Sequence, residues 1–140
     1  MKFLLDTCVI SEFVKPYPNP VVDNWLDQME DDALYLSVLT LAEINYGITL
    51  LGDSAKARYL HDWLNHNLLG RFSSRLLHIN KEVALEWSRQ KAMCKKSGHP
   101  RPLIDLLLAA TAMVNGLTIA TRNVSDFNGL NVSIFNPWES

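Results

Sequence analysis

Pro102-Leu103-Ile104-Asp105-Leu106-Leu107-Leu108-Ala109-Ala110-Thr111-Ala112-Met113-Val114-Asn115-Gly116-Leu117-Thr118-Ile119-Ala120-Thr121 is the stretch whose reading decides the fold. Proline is tolerated in the first turn of a helix, and Asn-Gly is a natural stop, so residues 103–114 read as one apolar helix. The five residues after the stop, Leu117 to Thr121, read as a short strand bounded by turn residues. A helix that feeds a strand through so short a connection is a component of a parallel α/β sheet.

Outward from this unit the alternation continues. Leu76-Leu77-His78-Ile79 is a strand, and Asn80 caps a helix from Lys81 to about Lys96 that Gly98 ends. Ala55 to about Leu68, carrying Leu60, Trp63 and Leu64, is a helix, as is Thr40 to Leu51, which stops at Gly52. Leu34 to Leu39 is the second strand. Before it, Val21, Val22, Trp25, Leu26 and Met29 fall on one helical face. Val9 to Val14 supplies a helical turn or two, closed by Pro16, Pro18 and Pro20, and Phe3-Leu4-Leu5 is the first strand. Beyond Thr121, a turn from Asn123 to Asn128 leads to a last strand, Val132 to Phe135. With right-handed crossovers, the expected fold class is α/β, a three-layer α/β/α sandwich with a mostly parallel sheet.

Composition agrees with one domain over residues 1–140, since that length suits a single hydrophobic core and 48% of the residues are hydrophobic. Charged residues make up 20% and mean hydropathy is near zero, which excludes a disordered chain or a fibre. Cys8 and Cys94 build neither a disulfide framework nor a metal finger. No apolar run approaches the roughly 18 residues of a membrane span, and Asp6 arrives too early for a signal-peptide core. The expectation is a cytoplasmic protein with no membrane association. A net charge of −2 and a pI of about 6.0 do not advertise a nucleic-acid binder.

Most of the 15 acids fall on solvated helix faces, and four do not. Asp6 ends the first strand, at the edge where open α/β sheets bind ligands. Glu43 follows the second strand by one helical turn. Asp105 interrupts the most apolar helix, and Asp126 sits just beyond the fourth strand. Each has a bland explanation. Asp6 can cap the next turn, Thr40-Leu41-Ala42-Glu43 matches a capping box, and Asp126 can stabilise its own turn. Asp105 gains from the helix dipole, although a charge between large apolar neighbours is costly unless it is paired or bound to metal. Together they imply more, because a parallel sheet gathers strand ends and helix starts at one edge. Two carboxylates about 4 Å apart repel by roughly 4 kcal/mol at an effective dielectric of about 20. A set of oxygen ligands without His or Cys suits Mg²⁺ or Mn²⁺ rather than Zn²⁺, and such a site suits phosphodiester hydrolysis.

The segments around these acids resemble a known family. Leu4-Leu5-Asp6-Thr7-Cys8-Val9-Ile10-Ser11-Glu12 and Ser37-Val38-Leu39-Thr40-Leu41-Ala42-Glu43-Ile44-Asn45-Tyr46-Gly47 resemble the first two blocks of PIN-domain ribonucleases. Pro102 to Ala112 and Leu117 to Phe127 resemble the third and fourth, in the same order. The chain is most similar to the bacterial VapC/FitB branch, the toxin half of type II toxin–antitoxin pairs. The resemblance implies a PIN domain of Rossmann-like architecture and a Mg²⁺- or Mn²⁺-dependent endoribonuclease. It makes Asp6 and Asp105 the principal metal ligands, with Glu43 and Asp126 completing the catalytic set. Thr7 and Thr121 match hydroxyl positions that arrange the site. It also implies a homodimer, an RNA substrate and a small cognate antitoxin of the VapB/FitA kind. The chain departs from the pattern at Cys8, where many relatives carry Asn; a structural thiol is expected there, since sulfur is a poor companion for hard oxygen ligands.

Arg89, Lys91, Lys95, Lys96, His99 and Arg101 form a run without an acid. It either complements a helix dipole or contacts phosphates beside Asp105. Arg122, next to Thr121, is the better single candidate for touching substrate. Trp25, Trp63, Trp87 and Trp138 fit core or dimer contacts better than stacking platforms. No histidine forms a pattern with the acids. A dehalogenase-type phosphatase would need an acid where Cys8 stands, a receiver domain would need a lysine where Thr121-Arg122 stands, and a dinucleotide fold would need glycines after Asp6. The alternative from another class is a non-catalytic PIN-like domain that binds RNA or protein.

Overall fold

Phe3, Leu4 and Leu5 are all buried, although successive strand residues point to opposite faces. The reason is position: β1 (Phe3–Leu5) is the central strand of a five-stranded sheet whose two faces are both covered. The computed structural model describes residues 1–140. Its other strands are β2 (Leu34–Ser37), β3 (Leu76–Leu77), β4 (Thr118–Ala120) and β5 (Ile134–Phe135), in the order β3-β2-β1-β4-β5. Every pairing is parallel, with Phe3 opposite Leu34 on one side and Thr118 on the other.

Seven α-helices connect them: α1 (Thr7–Ser11), α2 (Pro20–Gln28), α3 (Val38–Leu50), α4 (Ala55–Asp62), α5 (Leu69–Phe72), α6 (Lys81–Ser97) and α7 (Leu103–Asn115). Phe3 and Leu5 point into a core shared with Val22, Leu26, Ile48, Leu64, Leu68 and Phe72, so the helices from α1 to α5 cover that face. Leu4 and Ile119 point the other way, onto Leu108, Ala109 and Ala112 of α7, with Phe127 closing the cluster. The layers are those of the α/β/α sandwich. No helix is long and apolar enough to cross a membrane.

The last three strands are shorter than expected, at Leu76–Leu77, Thr118–Ala120 and Ile134–Phe135, and three further boundaries differ. The second strand stops at Ser37, whose hydroxyl accepts from the Leu39 amide at 3.0 Å and so starts α3 at Val38 rather than Thr40. The first helix begins at Thr7, immediately after Asp6, and continues into a 3₁₀ turn over Glu12–Val14. The segment expected as one helix from Ala55 to Leu68 passes through a π-helical stretch at Trp63–Leu68 before α5. Asn80 and Gly98 bound α6 as expected, with Asn80 accepting from the Val83 amide at 2.9 Å and Gly98 at φ +74°. Left-handed backbone at Gly98 suits glycine and releases the chain toward Pro102.

The chain moves outward from β1 to β2 and β3, then returns to the opposite side of β1 for β4 and β5. The carboxyl ends of β1 and β4 therefore flank a topological switch point, where an open α/β sheet leaves a crevice.

Candidate active site

Asp6 stands at that crevice. It ends β1 and serves as the N-cap of α1, its Oδ1 accepting from the Thr7 amide at 2.8 Å. Its Oδ2 accepts from the hydroxyl of Thr121 at 2.7 Å, across the switch point. The buried Thr121 hydroxyl also accepts from the Asn123 amide at 3.0 Å, which fixes the loop leaving β4. The capping explanation of Asp6 thus holds, and the Thr121 hydroxyl besides orients its carboxylate.

Glu43 occupies the second turn of α3. The capping-box explanation fails here, because Ser37 takes the cap and Thr40 lies buried inside the helix. The Glu43 carboxylate instead faces α1, where its Oε1 accepts from the Thr7 hydroxyl at 3.0 Å. Thr7 thereby touches two of the four acids at once, Asp6 with its amide and Glu43 with its hydroxyl.

Asp105 lies in the first turn of α7, partly buried, where the helix dipole favours the charged form. Other influences win. Burial first, then the carboxylates of Asp126, Asp6 and Glu43, push its carboxyl up to about 6, against a smaller downward pull from Arg101. Asp105 therefore faces the other three acids at a single edge. As they stand, no three His, Cys, Asp or Glu side chains close to metal-holding distance. Asp126 is exposed in the short 3₁₀ turn Val124–Asp126, and shares with Asp105 a cleft of about 400 Å³ that includes His99, Arg101 and Ser125 and has no hydrophobic wall. Thr7 and Glu43 open onto a second groove of about 290 Å³, walled by Ile44, Ile48, Leu60 and Trp63. A further cleft of about 450 Å³, beside Glu86, Gln90 and Thr118, lies at the opposite, amino-terminal edge of the sheet and contains none of these acids.

Cys8 sits beside the switch point. Its Sγ accepts from the Arg122 amide at 3.4 Å and lies 3.8 Å from Thr121 Oγ1. Burial pushes the thiol up against a smaller downward pull from the Arg122 amide, and Asp6 adds to the rise, so it stays neutral. Arg122 carries its exposed guanidinium over the Trp138 ring, 5.3 Å from the centroid. Trp25 packs edge-on against Phe3 at 5.1 Å, and Trp63 and Trp138 lean on the same core.

The basic run divides. Arg89 pairs with Glu86 at 3.2 Å, Lys91 covers Trp87, and Lys95 and Lys96 are exposed without an ion-pair partner. Arg101 turns back onto the loop around Asp126, donating to the carbonyls of Ser125, Asp126 and Asn128. That role is invisible in a count of charges. Glu12 was also hidden: it is buried, accepts from the Asn19 amide at 2.8 Å and pairs with Lys15. Burial pushes its carboxyl up, and these partners outweigh burial, leaving it below the usual range.

Comparison with known proteins agrees with this architecture. The family model described as the PIN domain matches residues 3–128. The Toxin FitB of Neisseria gonorrhoeae is 38% identical over 135 residues, covering 96% of this chain and 97% of that protein. The VapC ribonuclease Y4jK of Sinorhizobium fredii is 32% identical, covering 97% of each. The crystal structure of FitAcB from Neisseria gonorrhoeae superposes with a TM-score of 0.92 at 38% identity, covering 99% of both chains. With its four sequence blocks gathered at the carboxyl edge of this sheet, the chain belongs to the PIN domain family.

Proposed function

We propose that the chain, acting as a single domain, is a divalent-metal-dependent endoribonuclease and the toxin of a toxin–antitoxin pair. The observation that carries the reading is Asp105, an acid set in the first turn of an apolar helix and facing three further carboxylates at the sheet's switch point. Nothing in the protein neutralises that set: Arg101 is the one cation whose pull on Asp105 is felt, and it is outweighed. Four hard oxygen donors without a neutralising partner fit Mg²⁺ or Mn²⁺. Asp6 and Asp105 are the ligands we assign first, with Glu43 and Asp126 completing the set as the carboxylates draw in. Such an ion, when bound, acidifies water and neutralises charge developing on a phosphate.

The protein's own groups prepare the edge. Thr121 and the Thr7 amide hold both Asp6 oxygens, and the Thr7 hydroxyl turns Glu43 inward. The polar cleft beside Asp105 and Asp126 gives a sugar–phosphate strand a path without an apolar wall. Lys95, Lys96 and Arg122 are exposed charges available to its phosphates. The names of the FitB and VapC relatives support RNA cleavage and toxin action. A small antitoxin, a homodimer and a cytoplasmic setting follow from the same family reading. The groove beginning at Glu43 offers an antitoxin segment a way to the acids, and exposed Tyr46, Leu50 and Tyr59 offer apolar surface for a second copy.

The test is cleavage of end-labelled RNA by antitoxin-free protein with Mg²⁺ or Mn²⁺, with chelator, and with Asp105→Asn. The expected result is metal-dependent cutting by the wild type alone, leaving 5′-phosphate and 3′-hydroxyl ends. Cyclic phosphate ends would reject hydrolysis by water. A silent protein that binds RNA equally well with chelator would favour the non-catalytic reading.

A further inference from the structure

We infer that Arg101 is a positioning residue, a strap that sets where Asp126 stands relative to Asp105. The inference rests on the metal-site reading above. Arg101 lies one residue before Pro102, the N-cap of α7, so its backbone is tied to the helix that carries Asp105. Its guanidinium crosses to the loop after β4 and donates from Nη1 to the carbonyls of Ser125 and Asp126 and from Nη2 to that of Asn128. Two nitrogens of a rigid planar fork thus hold three carbonyls, including that of the acid itself. Within the loop the Asp126 amide donates to the Asn123 carbonyl, and the Phe127 and Asn128 amides donate to that of Val124, so the turn is internally closed and Arg101 is the side chain that ties it by hydrogen bonds to α7. Thr121 holds the Asn123 amide, and Phe127 is buried in the α7-facing core. The chain then leaves through Gly129 at φ +87°, a backbone conformation that favours glycine, and a Cβ there would lie 3.4 Å from Arg101 Nη2. The exposed Asp126 side chain makes no hydrogen bond or ion pair of its own, so its placement depends on this backbone.

Charge and geometry make opposite predictions, which is what makes the inference testable. As a mere cation near four acids, Arg101 would oppose a second cation, and its removal would tighten metal binding. As a strap it holds the carboxylates in register, and its removal loosens them. Outer residues that orient metal ligands typically contribute about 10–100-fold in metal affinity or activity.

The experiment measures Mn²⁺ affinity by calorimetry, without RNA, for the wild type, Arg101→Met, Arg101→Lys, Asp105→Asn and Lys2→Met. Lys2→Met removes the same charge at the far end of β1. We expect binding weakened about 10-fold in Arg101→Met, by a smaller factor in Arg101→Lys, which keeps the charge without the fork, and unchanged in Lys2→Met. Amide exchange should accelerate across residues 124–128 in Arg101→Met and stay unchanged at Thr7. Wild-type or tighter Mn²⁺ binding in folded Arg101→Met overturns the strap. If Arg101→Met does not fold, wild-type affinity in Arg101→Lys overturns it. A wild type that binds no Mn²⁺, or that binds no better than Asp105→Asn, removes the metal site itself and the strap with it.

Discussion

The Thr7 hydroxyl donates to Glu43 Oε1 at 3.0 Å, joining residues 36 positions apart on the first helices after β1 and β2. One side chain thereby couples two strand ends. Thr7→Val keeps the shape and deletes the donor. Because the bond is exposed, stability should change by less than about 1 kcal/mol. Metal-dependent RNA cleavage should fall about 10-fold as Glu43 swings free. Unchanged cleavage in the folded variant would show that Glu43 orients itself.

Thr121 is the buried counterpart. Thr121→Val leaves Asp6 Oδ2 and the Asn123 amide each short of a partner, at a cost of about 1–3 kcal/mol. Urea unfolding should show a lower midpoint with an unchanged slope. A midpoint equal to wild type would mean that solvent replaces the hydroxyl.

Asp105 makes stability depend on pH in a defined direction. Its carboxyl is raised from 3.8 to about 6 in the folded chain. Between those values the folded state holds a proton that the unfolded state has lost, so this group's contribution to stability falls as pH rises and stays low above about 6. In chelator, Asp105→Asn should therefore be more stable than wild type at pH 8 and show no such gain at pH 4. A difference independent of pH would mean that neither burial nor the neighbouring carboxylates raise Asp105.

Glu12 runs the other way. Its carboxyl lies below the usual range, held by Lys15 and the Asn19 amide against burial, so its contribution is present above the unfolded value and lost as pH falls through the folded one. Glu12→Gln should destabilise the protein at pH 7 by about 1.5–3 kcal/mol and by less in acid. Thermal melts at the two pH values check both sign and size.

Lys95 and Lys96 are the members of the basic run left exposed without a partner. If both contact phosphates, Lys95→Met/Lys96→Met should reduce the slope of log K against log salt by about 1.4 for single-stranded RNA. An unchanged slope in a salt titration would return them to the dipole of α6.

These contrasts indicate what periodicity and capping chemistry can disclose. The alternation of apolar strands and amphipathic helices is local, so the layers and the sheet edge were legible. Asp105 was legible because a charge inside Leu103–Ala110 conflicts with its surroundings. The start of α3 was missed because Thr40-Leu41-Ala42-Glu43 imitates a cap, whereas Ser37 reaches the helix from within the strand's apolar run. The π-helical stretch at Trp63–Leu68 is a matter of packing Leu64 and Leu68 into the core, which no local residue announces. Arg101 and Glu12 were hidden for one shared reason. Arg101 binds backbone carbonyls and Glu12 reaches the Asn19 amide as well as Lys15, and backbone groups carry no mark in the sequence.

Thr121 and Asp6 are separated by 115 positions, and β1 cannot complete its pairing until β4 exists. A growing chain therefore carries Asp6, Glu43 and Asp105 out of the ribosome before the strand that completes their edge. Contacts this distant in sequence form late and slowly. For a protein proposed to cut RNA, the parallel topology sets an order of assembly: Asp6 and Asp105 gain their common edge only once β4, made after both, has paired with β1.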